Sequence, residues 1–261
     1  MGRPLFFDID GTLVSFQTHE IPQSTIDALT KAKAAGCGIY IATGRPVAFI
    51  NNLGAIRHLI DGFMTTTGAY CFVGGDEVLC SPMAPNDVET IKADASAKNY
   101  AVIFSCERDV CIYNMQPVVK RLFEDGLAVG NLASYPPCGK VLAEQRVLMA
   151  TAFMDQETED ALIARTDSCI SGRWHPEFTD ISPKSAGKDN GLRAMAGYLG
   201  VDISDTIAFG DGGNDIYLLK AAGIGIAMGN AGDNVKAVAD YITTSVDDDG
   251  IANALKHFGI I

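Results

Sequence analysis

Two acids separated by one residue, Asp8 and Asp10 in FFDIDGTL, stand where a short apolar run meets a glycine. At a strand end, positions i and i+2 project to the same side, so both carboxylates can address one place, and Gly11 permits a tight turn after them. Alone, an Asp-Gly step is an ordinary turn signal. FGDGGND adds Asp211 and Asp215 beyond another apolar run, with glycines that let backbone approach a ligand closely. Gathering such acids is costly, since two unit charges about 4 Å apart repel by about 4 kcal/mol at an effective dielectric of about 20. A cation has to offset that repulsion. Oxygen ligands with no His or Cys beside them suit Mg²⁺, which takes one or two carboxylates, several waters and a substrate phosphate oxygen.

Two other uses of these acids and glycines fail on spacing. A calcium loop needs a bidentate Glu at its twelfth position, which is His19 counted from Asp8 and Ala222 counted from Asp211. A Walker-type loop fails because Asp189 follows Gly187-Lys188 and Ser182 occupies the required earlier glycine position. IATGRP offers a different phosphate seat: Thr43 supplies a hydroxyl and Gly44 a backbone N–H that can face an anion. Thr43 as a simple helix N-cap accounts for that stretch equally well. Lys188, at the start of a helical pattern, can neutralise a second phosphate oxygen, and Lys184 competes with it for that role.

The elements that must position these residues are four apolar runs, LFF, GIYIA, TIAF and GIGIAM, each ending in small or polar residues. Runs without alternation predict strands buried on both faces, and PQSTIDALTKAKAAG between the first two predicts a helix closed by Gly36. That is a βαβ unit, so the sheet is expected to be mostly parallel, with the ligand site beyond the carboxyl ends of its strands. From about Met83 to Pro183 the texture changes. AVIFS, DVCIY and RVLMATAFM predict strands, and helical patterns run near 86–98, 116–125 and 156–166. An inserted α+β unit over 83–183 therefore splits a core of 1–82 and 184–261, with the proline-marked stretches SPMAP and ISPKSAGK as linkers. Helices are expected near 190–200, 214–222, 232–239 and 250–257, and a short strand near DYITT.

Composition narrows the function classes. The 261 residues are 48% hydrophobic and 20% charged, an ordinary globular profile that excludes disorder, collagen and coiled coil. A formal net charge of -12 repels phosphate backbones and anionic lipid, so nucleic acid and membrane are not expected partners. No apolar run reaches the ~18 residues of a membrane span, and the chain opens straight into strand pattern without a leader-like segment. Seven cysteines, an odd number without CxxC, fit free thiols in a reducing cytoplasm.

Together, DIDGT at 8–12, ATGR at 42–45, Lys188 and GDGGND at 210–215 resemble the haloacid dehalogenase superfamily of phosphatases, with an insert placed like the cap of its Cof-type subfamily. The similarity to sugar-phosphate phosphatases of that subfamily runs essentially the whole chain, to KHFGII. It implies a Rossmann-like α/β core with an inserted α+β cap that closes over the site. It makes Asp8 the nucleophile, Asp10 the general acid/base and Lys188 the charge that balances Asp8 and phosphate. Thr43, Gly44, Arg45 and Asn214 would hold the phosphate. Asp8, Asp10 through its main-chain carbonyl, Asp211 and Asp215 would form or support the Mg²⁺ site. The chemistry agrees with the residues themselves, because a carboxylate can accept a phosphoryl group when metal and lysine withdraw charge. Two positions depart from the usual pattern: Thr67-Gly68 stands where Asn-Gly is common, and Lys188-Asp189 where Lys-Gly is.

In the insert, SGRWHPEF holds the only Trp with Arg173, His175 and Glu177, a mixture suited to stacking on a sugar and bonding its hydroxyls. Arg173, Trp174 and Glu177 are the candidates there, against the alternative that Trp174 packs in the insert's core. The sequence thus predicts a Mg²⁺-dependent phosphatase acting on a small phosphorylated sugar, cytoplasmic, and a monomer or weak homo-oligomer. A phosphosugar mutase on the same scaffold and a non-enzymatic sugar-phosphate-binding module are the rivals.

Overall fold

The computed structural model describes residues 2–126 and 129–261, and contacts divide the chain into two units. The first comprises Met1–Gly44, Asn52–Leu79 and Gly187–Ile261, the second Arg45–Asn51 and Cys80–Ala186.

In the first unit, β1 (Pro4–Phe7), α1 (Gln23–Ala34) and β2 (Gly38–Ala42) form the expected βαβ element. All four residues of β1 are buried, as a central strand covered on both faces requires. Thr25, Ala28, Leu29 and Ala32 form the buried stripe of α1 at helical spacing, and Gly36, at φ 86°, supports the chain reversal after it. Three further strands, β3 (Gly62–Thr65), β4 (Tyr70–Val73) and β5 (Asp76–Cys80), extend one side of the sheet. None of the three is among the apolar runs picked out in the sequence: each is short, and TTGA between β3 and β4 lacks a clear hairpin signal.

The second unit contains α2 (Pro85–Lys98), β6 (Val102–Cys106), β7 (Val110–Tyr113), α3 (Pro117–Val119), α4 (Cys138–Glu144), β8 (Val147–Ala152), α5 (Gln156–Ile163), β9 (Cys169–His175) and β10 (Phe178–Pro183). Its five strands form one antiparallel sheet in the order β7-β6-β8-β10-β9. The helix expected over 116–125 is α-helical only in α3 and continues as wider π-type turns over Lys120–Gly126. One apolar cluster joins Val88, Ile91, Phe104, Ala150, Leu162 and Ile181. Another gathers Ile103, Val119, Phe123, Phe153 and Phe178, and Phe49 is part of it. That packing is why Arg45–Asn51 groups with this unit by contacts, which also take in residues 80–82 and 184–186 on either side of the expected 83–183.

The chain returns to the first unit with α6 (Lys188–Leu199), β11 (Ile207–Gly210), α7 (Ile216–Ala221), β12 (Ile224–Ala227), α8 (Asp233–Lys236), β13 (Tyr241–Ile242) and α9 (Gly250–His257). The completed sheet runs β13-β12-β11-β1-β2-β3-β4-β5. Its pairings from β13 to β3 are parallel and β3–β4 is antiparallel. With β1 between β11 and β2, Asp8, Thr43 and Asp211 emerge at neighbouring carboxyl ends although they are far apart in sequence.

Candidate active site

Lys188 is the hinge of the site. In α6 the buried residues are Lys188, Gly191, Leu192, Met195 and Ala196, so the lysine heads the same stripe that packs the helix on the sheet. Gly191 allows the close approach, because a Cβ there would lie 2.9 Å from Met64 and 3.1 Å from the Cys71 sulfur. The Lys188 side chain is fully buried, and its Nζ donates to Asp8 Oδ1 at 2.7 Å and Asp215 Oδ1 at 2.6 Å. Burial opposes its charge, but Asp215 and Asp8 outweigh that and hold its pKa above the ordinary lysine range. Lys184, the competing candidate, donates instead to the Asp167 carbonyl in the second unit.

Asp8 follows β1, and its N–H donates to the Phe209 carbonyl of β11 at 3.1 Å. Burial pushes its carboxyl up to about 8, with Lys188 pulling against that shift and Asp215 and Asp211 adding to it. Asp211 is pushed up to about 7 by burial; a hydrogen bond from Thr12 works against the shift, and Asp215 and Asp10 add to it. That bond runs from Thr12 Oγ1 to Asp211 Oδ1 at 2.8 Å. Asp215 Oδ2 accepts the backbone N–H groups of Asp211 at 3.1 Å and Gly212 at 2.9 Å, which turns the GDGGND loop on itself. Gly11 and Gly210 are required by close approach. A Cβ on Gly11, at φ 80°, would fall 2.2 Å from Asp211 Oδ2, and one on Gly210 would fall 2.5 Å from the Asp215 Cβ.

Asp8, Asp211 and Asp215 each offer a carboxylate oxygen within 4.8 Å of the others. Lys188 bonds two of these three hard oxygen donors, Asp8 and Asp215, and Asp8 and Asp211 are raised by burial and by the neighbouring acids. A divalent cation bound by oxygen fits this donor set, because it would supply the charge that protons otherwise supply. The side chain of Asp10 is outside this trio; its backbone bridges Val14, and its charge acts on Asp211.

Thr43 is buried beyond β2, its N–H donating to the Met64 carbonyl at 2.8 Å and its carbonyl accepting the Thr67 N–H at 3.1 Å. A Cβ on Gly44 would lie 3.5 Å from both Asn214 Nδ2 and Thr67 Oγ1, so these groups converge on the Gly44 backbone. Arg45 points to the Phe49 carbonyl at 3.0 Å and belongs to the second unit.

The structure adds Asn230 and Thr66, which the sequence did not single out, and gives Thr67-Gly68 a place. Asn230 donates to the Gly11 carbonyl at 2.8 Å and accepts the Val246 N–H at 3.0 Å, joining the Asp10 turn to a neighbouring loop. Its place just beyond the GIGIAM strand was the available signal. Thr66, Thr67 and Gly68 have φ of 47°, 54° and 85°, and two consecutive β-branched residues in that region are strained. Among the described residues the fully buried Thr66 hydroxyl has no hydrogen-bond partner. Gly68 presses on α6, where a Cβ would meet the Gly187 carbonyl oxygen at 2.2 Å. This turn therefore links the Thr43 seat to the start of the lysine helix.

In the second unit, Arg173 Nε donates to buried Glu159 at 2.6 Å, and its other nitrogens reach the Met154, Pro176 and His175 carbonyls at 2.9, 3.0 and 3.3 Å. Glu177 pairs with Arg121 at 2.6 Å. Trp174 does not pack in the core: it is 60% exposed, its Nε1 donates to Asp180 Oδ2 at 2.8 Å, and its ring stands edge-on to Phe178 at 4.6 Å.

A family model described as haloacid dehalogenase-like hydrolase matches residues 5–255. The chain is similar to the putative phosphatase YkrA of Bacillus subtilis, 29% identical across 100% of this chain and 99% of that one. Among solved structures it is similar to the HAD subclass IIB sugar phosphatase BT4131, 44% identical with a TM-score of 0.88 over 99% of this chain and 100% of that one. It is also similar to the phosphatase BT1666 of Bacteroides thetaiotaomicron, 35% identical with a TM-score of 0.87 over 100% of this chain and 96% of that one. With the acids, lysine and candidate phosphate-binding residues of its motifs gathered at the carboxyl ends of neighbouring parallel strands, the chain belongs to the haloacid dehalogenase-like hydrolases and is a phosphatase of that family.

Proposed function

We propose that this phosphatase hydrolyses hexose and pentose phosphate monoesters through a phosphoryl group carried on Asp8. The observation that carries the reading is the buried bridge of Lys188 to both Asp8 and Asp215, with Asp211 completing the acidic trio. The resemblance to a sugar phosphatase at 44% identity supports the substrate class.

Asp8 attacks phosphorus, and the ester P–O bond breaks as the leaving oxygen takes a proton from Asp10. Asp10 then takes a proton from water, the water oxygen bonds to phosphorus, and the bond to Asp8 breaks, restoring the carboxylate. Lys188 holds the Asp8 carboxylate in place and offsets phosphate charge throughout. Thr43, the Gly44 N–H, Asn214 and the Thr67 hydroxyl form the seat for phosphate oxygens. Asp8, Asp211 and Asp215, with the Asp10 carbonyl, would hold Mg²⁺, whose charge polarises the phosphoryl oxygens. The exposed Trp174 ring, fixed at its Nε1 by Asp180, is the face of the second unit suited to a sugar ring. Arg173 is committed to Glu159 and backbone carbonyls, so it has a supporting role there.

The test is phosphate release from hexose, pentose, nucleotide and polyol phosphates with Mg²⁺ or EDTA, for the wild type and Asp8→Asn. Expected are Mg²⁺-dependent release ranked in favour of sugar phosphates and a loss of about 10⁴-fold in the variant. Isomerised sugar phosphate in place of free phosphate would establish the mutase, and tight binding without turnover the binding module.

A further inference from the structure

Asp180 of β10 is a carboxylate that no cation balances among the described residues. Its sheet partners are Thr151 of β8 and Gly172 of β9, so the three residues share one face of the second unit's sheet. The Thr151 hydroxyl donates to Asp180 Oδ1 at 2.6 Å and the Trp174 Nε1–H to Oδ2 at 2.8 Å, which leaves acceptor capacity on each oxygen. Burial pushes the carboxyl above its ordinary range, and the two bonds work against that shift. Further donors would work the same way. Asp180 is half-buried, and beside it Gly172 is exposed, with nothing within 4 Å of where a Cβ would stand. Between Asp180 and Phe178 the register with β9 steps by one residue. Such irregularities re-aim side chains, and Trp174 lies in this one, 60% exposed. Because the indole N–H lies in the ring plane, Asp180 stands at the edge of that ring and does not cover its face.

Resting on the sugar-phosphatase reading, we propose that Asp180 selects the leaving group by accepting two adjacent hydroxyls of a sugar ring laid on Trp174. A pyranose chair presents axial C–H bonds to an aromatic face and directs its equatorial hydroxyls outward, past the edge of the ring beneath. The carboxylate waits at that edge, already fixed by Thr151 and Trp174, so its oxygens accept a neighbouring pair without the acid having to be ordered on binding. Gly172 keeps the approach free of a side chain. An acyclic polyol loses rotational freedom in presenting the same pair, so a ring is favoured over an open chain.

The test compares glucose 6-phosphate with its 2-deoxy and 3-deoxy analogues, since every adjacent pair among the hydroxyls of carbons 1 to 4 includes one of those two positions. With the wild-type protein and Mg²⁺, kcat/KM is expected to fall about tenfold or more for at least one analogue. In Asp180→Ala, glucose 6-phosphate is expected to fall by a similar factor and the difference between it and that analogue to shrink below about twofold, because the hydroxyl has lost its acceptor. An acid with a structural role alone would lower all three substrates equally in that variant, and equal kcat/KM for the three in the wild type would show that no hydroxyl is read; either result overturns the proposal. Trp174 is the only tryptophan, so fluorescence reads binding at this spot without turnover. In Asp8→Asn with Mg²⁺, glucose 6-phosphate is expected to change the emission and inorganic phosphate to leave it unchanged, with the same analogue needing about tenfold more ligand. Turnover of sugar phosphates without that change overturns this inference and leaves the phosphatase reading. A change in emission without turnover in the wild type overturns that reading and leaves the sugar contact standing. The wild-type comparison decides the matter even where the alanine variant does not fold.

Discussion

Thr67 carries a conformational cost that its packing does not explain. Left-handed backbone costs a β-branched residue about 1–2 kcal/mol, and glycine at the same position would escape it. Yet Thr67 presents its hydroxyl to the Gly44 backbone beside Asn214, and its N–H is taken by the Thr43 carbonyl. A strained residue kept at the proposed phosphate seat is expected to serve the reaction. Thr67→Gly should raise the melting temperature by a few degrees, about what a gain near 1 kcal/mol gives at this size, while lowering kcat/KM about tenfold. Thr67→Val keeps the branching and removes the hydroxyl, so it should lose activity equally without the gain in stability. Thermal melts and phosphate-release kinetics on both variants check this, and full activity in the valine variant would show that the hydroxyl is not used.

At the scale of elements, β9 turns neighbouring side chains to opposite faces, one to support and the other to the proposed sugar contact. Arg173 faces inward to Glu159, which is buried and also accepts the Thr179 hydroxyl at 3.0 Å. Removing the guanidinium leaves a buried carboxylate unpaired, so Arg173→Ala should destabilise the second unit by about 3–5 kcal/mol. Trp174 faces outward, and Trp174→Ala should cost only about 1 kcal/mol through its edge contact with Phe178. Its expected effect is on catalysis: a KM for sugar phosphates raised several-fold, with kcat for a small aryl phosphate unchanged. Denaturant unfolding and a comparison of the two substrates separate these outcomes. A large loss of stability in the Trp174 variant would assign that ring to packing.

For the whole molecule, the raised carboxyls set an uncommon dependence on pH. Asp8 and Asp211 bind protons more tightly when folded, at about 8 and about 7 against ordinary values near 3.8. Their contribution to stability is therefore complete at acid pH below the unfolded value and is lost as pH rises through 7 and 8. The lowered acids Asp87, Asp94 and Glu107 act in a separate window, lost as pH falls below about 4. Protein treated with EDTA should thus melt at progressively lower temperature from pH 6 to pH 8.5, and Mg²⁺ should reverse the fall. Metal binding should release protons and tighten over the same range, which calorimetry in buffers of different ionisation enthalpy reads directly. Affinity independent of pH would place the cation away from these acids.

What the sequence by itself determined is the family, the frame of the fold and the set of candidate residues that the frame carries. Unalternated apolar runs ending in Asp8, Thr43 and Asp211 call for strands buried on both faces, whose carboxyl ends must meet in a parallel sheet. Asp8, Asp10, Thr43, Lys188 and GDGGND were legible because their residue types, order and spacing are local properties of the chain. The sequence already favours Lys188 over Lys184, which lies nearer Pro183 and further from the helix start; the tertiary structure adds how each is used, Lys188 turned onto Asp8 by the buried stripe of α6 and Lys184 donating to the Asp167 carbonyl. It also decided the parts played by Asn230 and the strained Thr66–Gly68 turn, which act through contacts between loops far apart in sequence. In the same way it turned Arg173 inward and Trp174 outward, because alternation along β9 assigns faces only once its pairing with β10 is set.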